Sequence, residues 1–595
     1  MPFEDSRRLT GGNLFFASTG AVLEALGELD EALLAAWRAR IERAAARLGW
    51  GHPQSAARRH AGGTSLAIAA PLDQLFVATE VNEWALCAAL IERDPKLCRS
   101  LEDALAAASL EALDSGATPG PDTIPVLEES AALARFVRLA AVEARPQLRA
   151  LLEAAALRGL PHVLDEAQLT LGAGAGGRSF PLSALPDPGE LRWDQLRDIP
   201  TAIVTGSNGK TTTVRLLAAC AREHGWHAAF NCTDGVFFDD ELLASGDYSG
   251  PAGARMVLRE PRAQAAILET ARGGILRRGI AVSQARVAVV TNVSADHFGE
   301  YGIDDLAALA DVKLAVSGIV SASGLLVLNA DDAQLRARAD GLTRRFGRCP
   351  RIAWFAQNAD HPLLGESRLR GAPTCGVRAG TLCLSYDGTD HDLGRVAALP
   401  LSVDGIATYN VANMAGAALG AAALGIAAAT IATVFARFGA HFADNPGRMM
   451  RFDRHGVRIL IDYAHNPDGL RGLLTVAEHL RGTNGRLGLL LGHAGNRNDA
   501  DIEELARVAA AFQPDLVVVK ENEAQLRGRA PGEIPRILLA ELLRRGISES
   551  ALTVRDSEAE AARCALDWAR SGDVLALPLH GRGARAEIVA LLEGG

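Results

Sequence analysis

Thr205-Gly206-Ser207-Asn208-Gly209-Lys210-Thr211-Thr212 follows the apolar run Ala202-Ile203-Val204 and leads into Thr213-Val214-Arg215-Leu216-Leu217-Ala218-Ala219. That order predicts a strand, a glycine loop and a helix. The backbone amides of such a loop, together with the new helix N-terminus, can cradle phosphate oxygens. Lys210 has the reach for terminal phosphates, and the Thr211 hydroxyl suits a magnesium ion. Gly206, Asn208, Gly209 and Thr212 complete the cradle. The strict phosphate-loop pattern has a further glycine at position 204, where this chain carries Val204, so the loop is a variant. An ordinary strand-to-helix turn is the alternative reading.

Strand and helix signals alternate from Pro200 onward. Apolar runs occur at Ala265–Leu268, Val287–Val290 and Leu325–Leu328, and each is followed by a polar loop. In an open parallel sheet, ligands sit at the carboxyl ends of the strands, so these loops should face one site. A stretch near Cys375–Tyr386 reads as a hairpin insertion. Beyond Gly447 a second, smaller unit has strands at Arg458–Ile461, Leu487–Leu491, Leu516–Val519 and Val574–Leu577, the pattern of a Rossmann-type domain. Residues 1–190 differ, being rich in Ala, Leu and Arg. Helical runs are expected at Leu33–Leu48 and Ala131–Leu157, a turn and strand at Gly62–Pro71, a helix start at Ala78–Trp84, and a linker at Pro186–Gly189.

The 595 residues are too many for one core. The expected fold is α/β and multi-domain: a central P-loop-type parallel-sheet domain, a smaller Rossmann-like C-terminal domain, and an α+β N-terminal domain. The expected boundaries are 1–190, 198–445 and 446–595. A net charge of −10 argues against nucleic acid as a partner, since phosphate backbones need a basic surface. Met1–Arg8 has no signal-peptide core, and the longest apolar segment, Met414–Phe435, is mostly Ala with Gly425 interrupting it. Two packed helices rather than a membrane span are expected there. The eight cysteines are scattered with no Cys-x-x-Cys pair, which fits buried thiols in a reducing cytoplasm.

The loops carry the chemistry. Glu269 ends a buried run and is a candidate magnesium ligand, with a helix cap or surface acid as the alternative. His297, in Thr291-Asn292-Val293-Ser294-Ala295-Asp296-His297, could hold a second divalent ion or orient a substrate. Asp331 and Asp332 suit a turn and helix cap. Lys313 lies on a helix, Leu306–Val316, where most lysines are solvated. Asp462, in Asp462-Tyr463-Ala464-His465-Asn466-Pro467, can accept from a ribose. Arg448 lies at the domain junction, where a guanidinium could clamp phosphate. Arg497 sits in another glycine loop, suited to a substrate carboxylate. Thr233, Asp234, Arg255, Arg272 and Arg277 gather polar and cationic groups near the strand that ends at Glu269, a set that could hold an anionic acceptor.

Taken in order, Thr205–Thr212, Glu269, Asn292 with Asp296-His297, Asn329–Asp332, Asn410 with Asn413, Pro446-Gly447-Arg448 and Asp462–Pro467 resemble the Mur ligase superfamily over about residues 198–595. Within it the chain is most similar to the Mur-like half of the cyanophycin synthetase family. The shared stretches are Cys232–Gly235, Ser249–Pro251, Leu268–Arg277 and Leu526–Glu533, with a further likeness around Gly62–Trp84. The ATP-grasp module that separates these parts in that family is replaced here by about 100 residues of helix and linker. Two departures stand out. The C-terminal loop reads Gly-Asn-Arg-Asn where the family more usually has Gly-Asp-Arg, and Tyr409 stands where many members have His.

The resemblance implies ATP and Mg2+ as cofactors and an ADP-forming ligase that joins a carboxylate to an amine through an acyl phosphate. Lys210, Glu269, His297 and Lys313 would be the catalytic group, with Lys313 carbamylated. Thr211, Glu269 and His297 would hold metal. Asn410 would face adenine, Asp462 ribose and Arg448 the phosphates. Thr233, Asp234, Arg272, His465, Asn466 and Arg497 would contact substrates. The expected substrates are an acidic amino acid or aspartyl peptide as the acid and a free amino acid as the amine. Neither nucleic acid nor membrane is expected as a partner, the expected location is cytoplasmic, and homo-oligomerisation is left open. The alternatives are a degenerate nucleotide-binding regulatory subunit and a peptidoglycan-precursor ligase.

Overall fold

Ala202, Ile203 and Val204 are buried on both faces of the sheet, and the strand they build, Thr201–Thr205, lies at the centre of the molecule's largest sheet. Such continuous apolar runs mark a parallel strand covered on both sides. The computed structural model describes residues 1–112, 125–295, 298–346, 350–495, 497–521 and 526–594.

The central sheet has eleven strands. Seven are parallel, in the order Ala228–Cys232, Ala265–Glu269, Thr201–Thr205, Ala285–Val290, Val320–Asn329, Arg351–Asn358, Thr374–Arg378. Antiparallel pairs flank them, Gly235–Phe238 with Glu241–Ser245 on one edge and Thr381–Tyr386 with Thr389–Arg395 on the other. The Cys375–Tyr386 stretch is a hairpin, as expected, but it belongs to the central sheet rather than standing apart as an insertion. Its first strand pairs with Arg351–Asn358 and carries the sheet onward.

The Ala-rich segment forms two helices, Thr408–Leu424 and Ala428–Phe435, packed on this sheet. Gly416 and Gly420 let the first helix approach Phe355, Val289 and Leu217 closely. Among the described residues no helix is long and apolar enough to cross a membrane. Lys313 ends the helix Leu306–Lys313 and is only 3% exposed, so it is not a solvated helical lysine. The described cysteines are all free, and Cys87, Cys220, Cys232 and Cys375 are buried.

The C-terminal sheet has the order Met450–Arg454, Val457–Asp462, Val574–Pro578, Leu487–Leu491, Leu516–Lys520, Leu552–Arg555, parallel except for its first strand. At the N-terminus an antiparallel sheet, Phe3–Leu9, Gly20–Leu26, Gly63–Ala69, Ser55–His60, packs against the helices Glu31–Leu48 and Leu75–Arg93. Asn82 links the helices to the sheet, Trp37 Nε1 donating to Asn82 Oδ1 at 2.9 Å and Asn82 Nδ2 to the Leu66 carbonyl at 2.9 Å. Ala78–Trp84 lies inside the second helix rather than at its start. The run Ala131–Leu157 is two helices, Glu129–Glu143 and Pro146–Leu157, because Pro146 has no amide to continue the first and suits the first turn of the next. A three-stranded sheet, His162–Leu164, Gln168–Leu171, Arg178–Pro181, leads into the central domain.

Candidate active site

The glycine loop leaves the Thr201–Thr205 strand and enters the helix Lys210–Glu223 at Gly209. Gly209 sits at φ +81°, and a Cβ there would lie 2.0 Å from Asn413 Oδ1, so glycine alone fits. The neighbouring strand's loop fixes the phosphate loop from the side. Asn292 Oδ1 accepts from the Asn208 amide at 2.9 Å, the Asn292 carbonyl accepts from the Ser207 amide at 3.0 Å, and Ser207 Oγ donates to the Ser294 carbonyl at 3.0 Å. Lys210 folds back, its Nζ donating to the Gly206 and Ser207 carbonyls at 3.1 Å each.

The next strand over ends at Glu269, which is 0% exposed. Thr211 Oγ1 donates to Glu269 Oε2 at 2.8 Å, and Thr233 Oγ1 donates to its Oε1 at 3.3 Å. Burial raises the Glu269 carboxyl above the usual carboxylate range, against the pull of Lys210, the Thr211 hydrogen bond and Arg448. A buried carboxylate beside two hydroxyls is a hard-oxygen set lacking a full countercharge, and it suits Mg2+.

The C-terminal domain closes the other side. Arg448 Nη2 lies 3.5 Å from Thr211 Oγ1, with its guanidinium 4.1 Å over the Tyr463 ring. Asp462 accepts from the Met449 amide at 2.7 Å and the Ala464 amide at 2.8 Å; burial raises its carboxyl in spite of Arg448. Asn466 caps the helix Pro467–Arg481 and also donates to Asn208 Oδ1 at 2.9 Å. The result is a cavity of about 390 Å³ between the domains. A second cavity of about 340 Å³ adjoins it, sharing Thr233, Tyr463 and His465 and lined further by Asp234, Arg497 and Lys520.

Of the residues singled out by sequence, Asn208, Gly209, Lys210, Thr211, Thr212, Thr233, Glu269, Asn410, Arg448, Asp462 and His465 line the first cavity. Gly206 lies behind the loop against Thr291. Asp234 and Arg497 line the second cavity. Three groups fall elsewhere. Arg272 bonds Glu300 at 2.5 Å, outside both cavities, and Arg255 lines a separate cavity beside the N-terminal domain. Lys313 is buried in its helix and lines neither cavity. Asp296 and His297 lie outside the described residues. Asp332 caps the next helix, as its position suggested, and also accepts from the Val293 amide at 2.6 Å.

Sequence reasoning missed the ties between domains. Arg585 Nη2 donates to Asp234 Oδ1 at 2.6 Å, and Arg215 lies 3.5 Å from the same carboxylate. Burial works against the charge of Asp234, but Arg448, Arg585 and Arg215 together hold its carboxyl below the usual range. Asn445 Nδ2 donates to Thr212 Oγ1 at 3.2 Å. No local pattern marks Arg585, which sits 351 residues from its partner.

Residues 204–420 match the Mur ligase middle domain, and residues 447–577 match the Mur ligase, glutamate ligase domain. The central and C-terminal domains belong to the Mur ligase family. Among individual proteins, the chain is 34% identical to the cyanophycin synthetase of Synechocystis sp. over 369 residues, which is 62% of this chain and 41% of that protein. It is 35% identical to that of Nostoc sp. over 390 residues, 65% and 42% respectively. The match thus spans less than half the length of these relatives. A solved structure of E. coli FolC in complex with DHPP and ADP overlays with a TM-score of 0.49 at 19% identity, covering 66% of this chain and 89% of that one. In this Mur ligase pair of domains, the first cavity lies between the middle domain's glycine loop and the first strands of the C-terminal domain.

Proposed function

We propose that the chain is an ATP-dependent ligase that joins a carboxylate to an amine, with an acyl phosphate as intermediate. The observation that carries this reading is the pairing of Thr211 with the fully buried Glu269 beside Lys210, inside a cavity that Arg448 and Asp462 complete from the other domain. The loop amides and Lys210 would hold the ATP phosphates, Lys210 exchanging its two loop carbonyls for phosphate oxygens. Asn410 would lie along the adenine and Asp462 near the ribose. Thr211 and Glu269 would hold Mg2+, which when bound neutralises charge on the transferred phosphoryl group.

In the first step a carboxylate oxygen of the acid attacks the γ-phosphorus and ADP leaves. In the second, the amine attacks the acyl carbon, loses a proton and expels inorganic phosphate, leaving an amide. Both steps need water kept out, which interdomain closure supplies. The second cavity opens beside Thr233 and suits the meeting place of acid and amine. Its arginines favour substrates that carry carboxylates, so an acidic amino acid or aspartyl peptide is the proposed acid and a free amino acid the proposed amine. His297 and Lys313 remain proposed for a second ion.

The match to the Mur ligase middle and C-terminal domains, and to relatives named as cyanophycin synthetases, supports amide-bond chemistry of this kind. A regulatory subunit without catalysis is disfavoured by the intact set Lys210, Thr211 and Glu269. The test is ADP release by the purified chain against a panel of amino acids and acidic peptides, with the product identified by mass. ADP release that needs both an acid and an amine supports the reading, and none with any pair counts against it.

A further inference from the structure

Among its contacts with the central domain, the N-terminal domain grips a turn, residues Gly299–Asp304. The Ile303 amide donates to the Glu300 carbonyl at 3.2 Å, and the two central residues, Tyr301 and Gly302, have φ of +53° and +63°. Positive φ at both centres is a type I′ turn, and its two central carbonyls point away from the turn's own hydrogen bond. Arg58, on the N-terminal strand Ser55–His60, takes both. Its Nη2 donates to the Tyr301 carbonyl at 2.7 Å and its Nη1 to the Gly302 carbonyl at 2.7 Å.

Three further contacts seat the same turn. The Ala61 amide donates to Asp304 Oδ2 at 3.0 Å. The Arg7 guanidinium lies 4.3 Å over the Tyr301 ring. Gly302 packs on His60 so closely that a Cβ would lie 2.3 Å from the imidazole ring.

This turn is joined to the active site in two ways. Along the chain, only two residues separate Ala295 from Phe298, and the stretch just before them, Asn292–Ser294, holds the phosphate loop through Ser207 and Asn208. In space, Glu300 accepts from Arg272 at 2.5 Å, and Arg272 opens the helix that begins three residues after Glu269. A grip on Gly299–Asp304 therefore bears on Arg272 through Glu300, and the turn follows Asn292–Ser294 closely along the chain.

We propose that the N-terminal domain is a clamp on the Gly299–Asp304 turn, and that Arg58 is a positioning residue for the reaction. The second half of the proposal rests on the ligase reading above. Among the described residues, Arg58 lines neither cavity of the candidate active site. It fixes the register of the Asn292–Ser294 and Glu269–Arg272 segments, so its loss should lower turnover more than nucleotide affinity. Two charge-assisted hydrogen bonds to a half-buried turn correspond to roughly a 10- to 100-fold change in local opening.

The experiment compares the full-length wild type with Arg58→Ala, Arg58→Lys and Gly302→Ala. Amide exchange is read over residues 291–305, along with ADP release, affinity for a non-hydrolysable ATP analogue and thermal unfolding. Arg58→Ala should speed exchange in this segment roughly 10- to 100-fold while leaving protection of the C-terminal domain unchanged. ADP turnover should fall about tenfold, with analogue affinity changing less than about threefold. Arg58→Lys, which can reach one carbonyl, should recover part of both effects. Gly302→Ala disturbs the clamp from the opposite side and should act like Arg58→Ala. Unchanged exchange in folded Arg58→Ala and Gly302→Ala overturns the clamp. Faster exchange with unaltered turnover overturns the positioning role. If the wild type releases no ADP, the ligase reading fails on its own and the exchange data still decide the clamp.

Discussion

Glu269→Gln should make the ligand-free protein more stable and the enzyme nearly inactive. The side chain is 0% exposed, and its oxygens accept from the Thr211 and Thr233 hydroxyls at 2.8 and 3.3 Å. Gln keeps the shape and an acceptor for Thr211 but removes the buried charge. Relief of a strained site charge is worth on the order of 1 kcal/mol, which for a domain of this size raises Tm by about 2–4 °C. The pH dependence has a definite sign. Burial raises the Glu269 carboxyl, so the folded state binds a proton more tightly than the unfolded one. Wild-type stability then falls as pH rises from the ordinary carboxylate range to the raised folded value, and the penalty is complete above it. The advantage of Gln should therefore vanish in acid and open toward neutral pH. Magnesium with nucleotide should raise the wild-type Tm more than that of the variant, because only the wild type supplies the anionic ligand. Turnover should fall roughly 10²- to 10³-fold. Calorimetry across pH and an ADP-release assay check both halves. A variant that is less stable than wild type at neutral pH, or that turns over normally, refutes the reasoning.

Lys210→Ala should abolish ADP release while leaving the fold intact, because Lys210 lines the cavity and bonds two loop carbonyls rather than packing in a core; near-normal turnover would remove the loop from the mechanism. Arg448→Ala should raise the apparent KM for ATP about tenfold or more, since it deletes the guanidinium that reaches across the domains to Thr211; titration of a fluorescent ATP analogue reads the same loss directly. Arg585→Ala should loosen the two domains by leaving the buried Asp234 with weaker partners, and it should lower turnover more than it alters nucleotide affinity; an unchanged kcat would make that pair a fold contact only. Scattering profiles should become more compact with an ATP analogue and acid bound, and unchanged dimensions at saturation would count against closure.

Much of the architecture was legible because its signals are local. A continuous apolar run such as Ala202–Val204 followed by Gly-x-x-Gly-Lys-Thr can hardly be anything but a buried strand, a tight loop and a helix, and the loops after Ala265–Leu268 and Val287–Val290 do converge on it. What escaped was set by distant partners. Arg272 looked like a substrate ligand from its place near Glu269, but the fold turns it toward Glu300. The bland alternative for Lys313, a solvated helical lysine, fails because the helix Leu306–Lys313 buries it. Arg585 carries no motif at all, because its meaning lies in Asp234, far away in the chain. Pro146 is a local helix-break signal within the Ala- and Leu-rich run 131–157, and the chain does break there into two helices.

The central claim is that a substrate carboxylate takes the γ-phosphoryl group of ATP. The most direct measurement supplies the acid with 18O in its carboxylate, in the presence of ATP, Mg2+ and the amine, and follows the label into inorganic phosphate by mass spectrometry. The account predicts one 18O atom in each phosphate released, in step with ADP and amide. ADP formed with unlabelled phosphate would mean that water, not the acid, attacks ATP, and would contradict it.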